Sequence, residues 1–225
     1  MRDAASNKLD LAVSYLEGKG GLAINYTMAV RYLKEIVLAD DNEASKNVSR
    51  AKAIHMLAKC YLAGDGTEKD TPAGIQLLED GATSTSLLDT ECAHTLANLY
   101  ENGDYGVELS PEKAAHWFHY AADLGHVESM AEYALHLELG VGVEQNDSEA
   151  LNWYLKAANA GHVEANYSIG ECYEEAKGVP LDHSEACLWY FKSATKGCND
   201  SVKALARLSD VARIVLPGFG RILEA

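Results

Sequence analysis

Two stretches that open on the same four residues, GHVESMAEY from Gly125 and GHVEANYSI from Gly161, each place a histidine two residues before a glutamate. Imidazole can hold a metal or move a proton, and a carboxylate can complete either kind of site, so the repeated pair raises metal chemistry and general acid–base chemistry. His116, His119 and Asp123 would lie near one helical face and form a second candidate metal group. Gly64-Asp65-Gly66 and Gly140-Val141-Gly142 offer the start of a dinucleotide-binding loop, but neither is followed by a third glycine at the required spacing or preceded by a parallel strand. Cys60, Cys92, Cys172, Cys187 and Cys198 are odd in number and irregular in spacing, with no CxxC, so buried reduced thiols are expected in place of a zinc site or a full disulfide framework.

The spacing of the large residues explains GHVE differently. Trp117, Trp153 and Trp189 recur every 36 residues, followed at the same interval by Phe118, Tyr154 and Tyr190. Ala114, Ala150 and Ala186 keep that interval, and so do Gly125, Gly161 and Gly197; His126 and His162 simply follow the first two glycines. GHVE is therefore a joint in a repeated unit. A period of this length implies a solenoid, whose units bury their apolar faces on one another.

Each unit reads as two short helices. Around Asp147, Ser148 and Glu149 capping and first-turn acidic residues open a helix, Ala150, Trp153, Tyr154, Ala157 and Ala158 give it one apolar face, and Gly161 ends it. Ser110 followed by Pro111 marks another start. A first helix runs from about Val163 to Ala176, with Gly170 small enough for close helix–helix approach; Ala12, Ala58, Ala97, Ala134 and Ala206 take that place elsewhere. The expected units are 4-39, 48-83, 89-125, 126-161 and 162-197 within a single repeat domain, 1-225, closed by a half-repeat and cap over 198-225. The polar insertions 39–50 and 83–90 read as loops with some extra first helix. The half-repeat helix is expected from about Asp200 to Val211, and the apolar residues of IVLPGFGRILEA are expected to cap the open end.

With 225 residues, an apolar share of 48% and charged residues at 24%, the chain is a folded globular protein and not a disordered one. Its formal net charge of −15 disfavours nucleic acid and anionic membrane as partners. No run approaches the roughly 18 apolar residues of a membrane span, and the opening MRDAASNKLD lacks a signal-peptide core, so no direct membrane insertion and a cytoplasmic location are expected. Five N-x-S/T sequons, at Asn25, Asn47, Asn146, Asn166 and Asn199, keep the endoplasmic-reticulum lumen as the alternative, if a longer parent chain supplies a signal sequence. No nucleophile elbow, zinc-protease motif or phosphate-binding loop occurs, so no catalytic residue, metal or cofactor is assigned and the expectation is a protein that is not an enzyme.

The segments IGECYEEAKGVPLDHSEACLWYFKSATKG, YALHLELGVGVEQNDSEALNWYLKAANAG and LANLYENGDYGVELSPEKAAHWFHYAADLG resemble the Sel-1-like repeat, a relative of the tetratricopeptide repeat. Ala176 stands where that pattern has its first loop glycine, Leu137 replaces its tyrosine and Asn146 its aspartate. The resemblance spans roughly residues 8 to 210. It implies an all-α superhelix of about five helix pairs with a C-terminal capping helix, and a scaffold or adaptor role in protein–protein interaction, with adaptor work in endoplasmic-reticulum quality control as the alternative setting. It also implies that the first helix of each unit lines the binding face. Carried over residue by residue, that face comprises Glu164, Tyr167, Glu171, Glu174 and Glu175; Glu128, Ala131, Leu135, Glu138 and Leu139; and Glu91, His94, Asn98, Glu101 and Asn102. In the second unit the matching residues are Lys52, His55, Lys59, Leu62 and Ala63. A face acidic from the third unit to the fifth is expected to bind a basic or amphipathic protein segment.

Overall fold

The computed structural model describes residues 4–39, 44–84 and 89–216, and among these every long element is an α-helix. The helices follow in pairs: α1 (Ala4–Glu17) and α2 (Tyr26–Val37), α3 (Ala44–Ala63) and α4 (Thr71–Thr83), α5 (Thr90–Asn102) and α6 (Pro111–Asp123), α7 (Val127–Leu139) and α8 (Asp147–Asn159), α9 (Val163–Glu175) and α10 (His183–Ala194). Then come α11 (Asn199–Arg207) and α12 (Ser209–Val215). Contacts group the chain into two bodies, Met1–Leu124 and Gly125–Ala225. Within each body a first helix packs on its own second helix, and that second helix on the next first helix.

The second helices form because the same stripe recurs in each. Ala114, Ala115, Phe118 and Ala121 are buried on α6, Ala150, Leu151, Tyr154 and Ala157 on α8, and Ala186, Cys187, Tyr190 and Ser193 on α10. Spacing of three and four puts these residues on one face. Phe118 and Tyr190 are completely buried, a change from water that stabilises by about 1.5–3 kcal/mol for each such side chain. Trp153 is buried, whereas Trp117 and Trp189 are only half-buried. Gly170 earns its small size: a Cβ there would sit 2.5 Å from the Tyr190 ring. Ala12, Ala58, Ala97 and Ala134 are fully buried at the matching places.

Polar caps set the helix starts. Asp70, Ser110 and Asp182 each accept a first-turn backbone N–H through the side chain. On α8 the cap is Asn146, which accepts from the Glu149 N–H at 3.1 Å, so Asp147 and Glu149 serve as first-turn acids instead of caps. These capping residues also fix the hairpin, since the N–H groups of Asp70, Asn146 and Asp182 donate to Tyr61, Leu137 and Tyr173 carbonyls at 2.8–2.9 Å. Ala176 takes the left-handed conformation, φ 58°, where Gly140 sits in the preceding unit.

The loop glycines also mark where repeats meet. A Cβ on Gly66 would lie 2.3 Å from the Tyr26 carbonyl carbon, and one on Gly178 would lie 2.5 Å from the Asp147 oxygen. Each glycine has positive φ as well, 72° and 69°, so these positions need glycine both for conformation and for space. The G-x-G segments are interhelical turns, with helix on the N-terminal side where a dinucleotide loop would require a strand.

The C-terminal reading needs correction. The single helix expected from about Asp200 to Val211 breaks at Leu208 into α11 and α12, and Ala206 is exposed instead of supporting a close helix contact. α12 turns back so that Ala212 and Leu216 pack with Ala186, Cys187, Tyr190 and Leu205. The remainder of the expected cap, residues 217–225, lies outside the described residues, as do 40–43 and 85–88 of the two insertions. α3 begins at Ala44, so much of the first insertion is added helix.

Candidate functional site

The two GHVE histidines are helix caps. His126 Nδ1 accepts the Ser129 N–H at 3.1 Å and lies 2.9 Å from Ser129 Oγ, while His162 Nδ1 accepts the Ala165 N–H at 3.1 Å. This use of the ring satisfies one of the N–H groups that a helix start leaves unpaired. His162 has only 11% of its side chain exposed, with Glu128 Oε2 3.5 Å from its Nε2. The first-turn glutamates Glu128 and Glu164 stay exposed, where they favour the positive helix end. His119 Nε2 lies 3.4 Å from Asp123 Oδ2, whereas His116 packs edge-on against Trp117. Among the described residues no group of three or more His, Cys, Asp or Glu side chains is placed to hold a metal ion.

In the body Gly125–Ala225, the expected acids fall into two sets. Glu138 and Glu174 are drawn into the packing. Tyr154 Oη donates to Glu138 Oε2 at 3.0 Å and Lys177 Nζ donates to Oε1 at 2.7 Å. One repeat later, Tyr190 Oη donates to Glu174 Oε2 at 2.6 Å, and Arg207 adds bonds from Nε at 3.1 Å and Nη2 at 2.7 Å. Each carboxylate thus joins a second helix of its own repeat to a cation from the following repeat. Their exposures, 14% and 15%, reflect this enclosure. Burial, then the neighbouring Glu138, pushes the Tyr154 hydroxyl far above its ordinary range, and burial followed by Glu174 does the same to Tyr190.

The second set faces outward. Glu128 and Glu164 have side-chain exposures of 58% and 76%. Glu175 is exposed and meets Lys177 at 2.9 Å. Glu171 is half-buried, and its carboxyl is held above the usual carboxylate range by burial, which outweighs the stabilising bond with Tyr167, and by the charges of Glu138 and Glu175. Tyr167 packs at 5.4 Å from the Tyr190 ring, and burial and Glu171 push its hydroxyl up to about 12. Between α7 and α9 runs a shallow cleft of about 160 Å³, lined by Ala131, Glu132, Leu135, His162, Glu164 and Ser168 among others. Leu135 and Leu139 remain exposed on α7.

In the body Met1–Leu124 the same face is mixed in charge. Glu91 and Glu101 are exposed on α5, and Asn98 Nδ2 meets His94 Nε2 at 3.0 Å. The His94 ring lies 5.8 Å from that of Phe118. Phe118 occupies the place of Tyr154 and Tyr190 but carries no hydroxyl to donate. Beside them His55 Nε2 meets Thr95 Oγ1 at 2.9 Å, and burial, reinforced by Lys59, lowers the tendency of His55 to take up a proton. A cavity of about 550 Å³ opens there between α3 and α5, with Lys52 and His55 on one side and Asp89 and Glu91 on the other.

The Sel1 repeat model matches residues 9–40, 51–83, 90–126, 127–162 and 163–198. Among solved structures, a protective antigen of uropathogenic Escherichia coli with an SLR fold superposes with a TM-score of 0.80 at 23% identity, over 98% of this chain and 44% of that one. A Sel1 repeat protein from Oxalobacter formigenes superposes with a TM-score of 0.72 at 22% identity, over 98% of this chain and 84% of that one. The present chain therefore spans less than half the length of the Escherichia coli antigen. No curated protein matches by sequence.

Proposed function

The chain belongs to the Sel1 repeat family, and from that premise we propose that it is a non-catalytic scaffold whose first-helix face binds a basic or amphipathic segment of a partner protein. The observation that carries the proposal is Glu171. Its carboxyl is half-buried and held above the usual carboxylate range first by burial and then by the charges of Glu138 and Glu175 against the opposing Lys177, and a partner ammonium or guanidinium would favour its charged form. Glu128, Glu164 and Glu175 extend the field along α7 and α9, and the exposed Leu135 and Leu139 offer apolar contact to an amphipathic helix. Glu91, His94, Asn98 and Glu101 on α5 are proposed as a separate binding stretch within the body Met1–Leu124. In the body Gly125–Ala225, Glu138, Tyr167 and Glu174 support the proposed face by holding their neighbours in place.

A reducing, non-glycosylating compartment such as the cytoplasm fits this reading best. The five cysteines are free thiols, and Asn166, one of the sequon asparagines, is 4% exposed with its Nδ2 donating to the His162 and Val163 carbonyls. A glycan on Asn166 is incompatible with that packing. Among the described residues no helix is long and apolar enough to cross a membrane.

Binding is tested with a lysine- and arginine-rich amphipathic peptide and the same peptide with its cations replaced by glutamine. Replacing Glu128, Glu164 and Glu171 together by glutamine is expected to slow association about tenfold at low salt and to flatten the salt dependence of the rate. Equal salt slopes for the parent and the triple variant would remove this face from the proposal.

A further inference from the structure

Cys198 stands 36 residues after His162, as His162 stands 36 after His126. The main chain is held alike at both later positions: the His162 N–H donates to the Ala157 carbonyl at 3.0 Å and the Cys198 N–H to the Ser193 carbonyl at 3.2 Å. A cysteine thus replaces a capping imidazole at the start of α11. Ser201 replaces Ser129, whose hydroxyl lies 2.9 Å from the His126 ring nitrogen. Ser201 is completely buried, and its Oγ has no well-formed hydrogen bond among the described residues. The group it faces is the Cys198 sulfur. A neutral thiol is a weak acceptor, but an ionised sulfur, or an oxygen bonded to that sulfur, would accept from this stranded donor.

We propose that Cys198 is an oxidation site for small neutral hydroperoxides, with Ser201 stabilising the attacking sulfur. Burial pushes the thiol up, but the Ser201 hydroxyl and the first-turn N–H groups of Asp200 and Ser201, which lie near the sulfur without forming a cap bond to it, bring it below its ordinary value. Cys198 is partly exposed, whereas Cys60, Cys92, Cys172 and Cys187 are buried and their thiols are pushed up by that burial. The adjacent Asp200 is paired with Lys203 at 2.8 Å. A net charge of −15 repels anionic oxidants and leaves neutral peroxides unhindered. In the reaction the thiolate attacks the terminal OH oxygen of the peroxide, an S–O bond forms as the O–O bond breaks, and the departing alkoxide, or hydroxide where the oxidant is hydrogen peroxide, takes a proton from solvent. The sulfur loses two electrons to the peroxide and becomes a sulfenic acid, whose oxygen can accept from Ser201.

The test treats the full chain with limiting hydrogen peroxide in the presence of dimedone, a trap for sulfenic acids, and maps adducts by peptide mass spectrometry. The adduct is expected on Cys198 and on none of the four buried cysteines, and Ser201→Ala is expected to slow its formation by about tenfold. Ala165 fills the Ser201 place in the preceding repeat, so Ser201→Ala retains the fold, which circular dichroism checks. Iodoacetamide alkylation as a function of pH gives a second reading, with the Cys198 midpoint expected to rise in Ser201→Ala. An adduct spread over the other cysteines, none on Cys198, or unchanged rates and midpoint in Ser201→Ala would overturn the proposal.

Discussion

Removing Glu174 should expose how the repeats are tied together. In Glu174→Ala the Tyr190 hydroxyl, on a side chain with no exposure, loses the carboxylate it reaches at 2.6 Å. Leaving a buried hydroxyl without a partner costs about 1–3 kcal/mol. Arg207 also loses two bonds, but its side chain is 61% exposed and returns to water, so this part is worth about 0–1 kcal/mol. The expected loss is therefore about 1–4 kcal/mol, read from urea unfolding followed by circular dichroism. The decisive comparison is with Glu174→Ala combined with Tyr190→Phe. Taking away the stranded hydroxyl removes the penalty, and Phe118 shows that phenylalanine fits this place in a repeat. The double variant should thus be more stable than Glu174→Ala alone. If the second substitution instead lowers stability further, the carboxylate is not serving the tyrosine and the account of this contact fails.

Trp153→Ala should cost about 3–5 kcal/mol, because Trp153 is 5% exposed and meets Tyr133 edge-on at 5.7 Å, while His162→Ala should cost about 1 kcal/mol through its lost cap; denaturant melts that ranked them in reverse would refute both assignments. Alkaline pH should destabilise the fold. Cys60 and Cys172 are raised from 9.0 to about 11 and about 12, and Tyr154 and Tyr190 are raised above 10.0, so the folded state holds protons that the unfolded chain releases. Stability from these groups is complete below about pH 9 and lost as pH rises through their folded values, and a flat stability between pH 9 and 11 would contradict the burial of these groups.

The helix pairs and their joints were legible in the sequence because they depend on local spacing. Alanine, aromatic and glycine positions recur at a fixed interval, and Ser110 with Pro111 marks a helix start without reference to the rest of the chain. The spacing shows GHVE only as a joint of the repeated unit, and the capping use of its ring is hidden because histidine is an uncommon cap. A signal did exist, since a residue just before each first helix is where a capping acceptor belongs. The Glu138–Tyr154–Lys177 and Glu174–Tyr190–Arg207 contacts lay out of reach for another reason. Their members are 16 and 33 to 39 residues apart and converge only after two helices and a repeat joint have formed. Sequence reasoning could mark Glu138 and Glu174 as lying on the first-helix face, but not that neighbouring helices would enclose them. The break at Leu208 was likewise hidden, because 200–211 keeps a helical pattern and the turn is set by α12 packing back on α10.

The meetings of Gly66 with Tyr26 and of Gly178 with Asp147 are contacts of main chain with main chain. Main chain limits the approach at both glycines, and at Gly178 the Ser148 hydroxyl also donates to the glycine carbonyl at 3.3 Å, so these two joints depend little on which residues the helices display outward. Within each body such a joint works as a fixed step: the outward residues on either side of it can be rewritten during evolution without retuning it. A single methyl group at either glycine would change the step itself, which makes the least conspicuous residues of the repeat the ones that most constrain its inheritance.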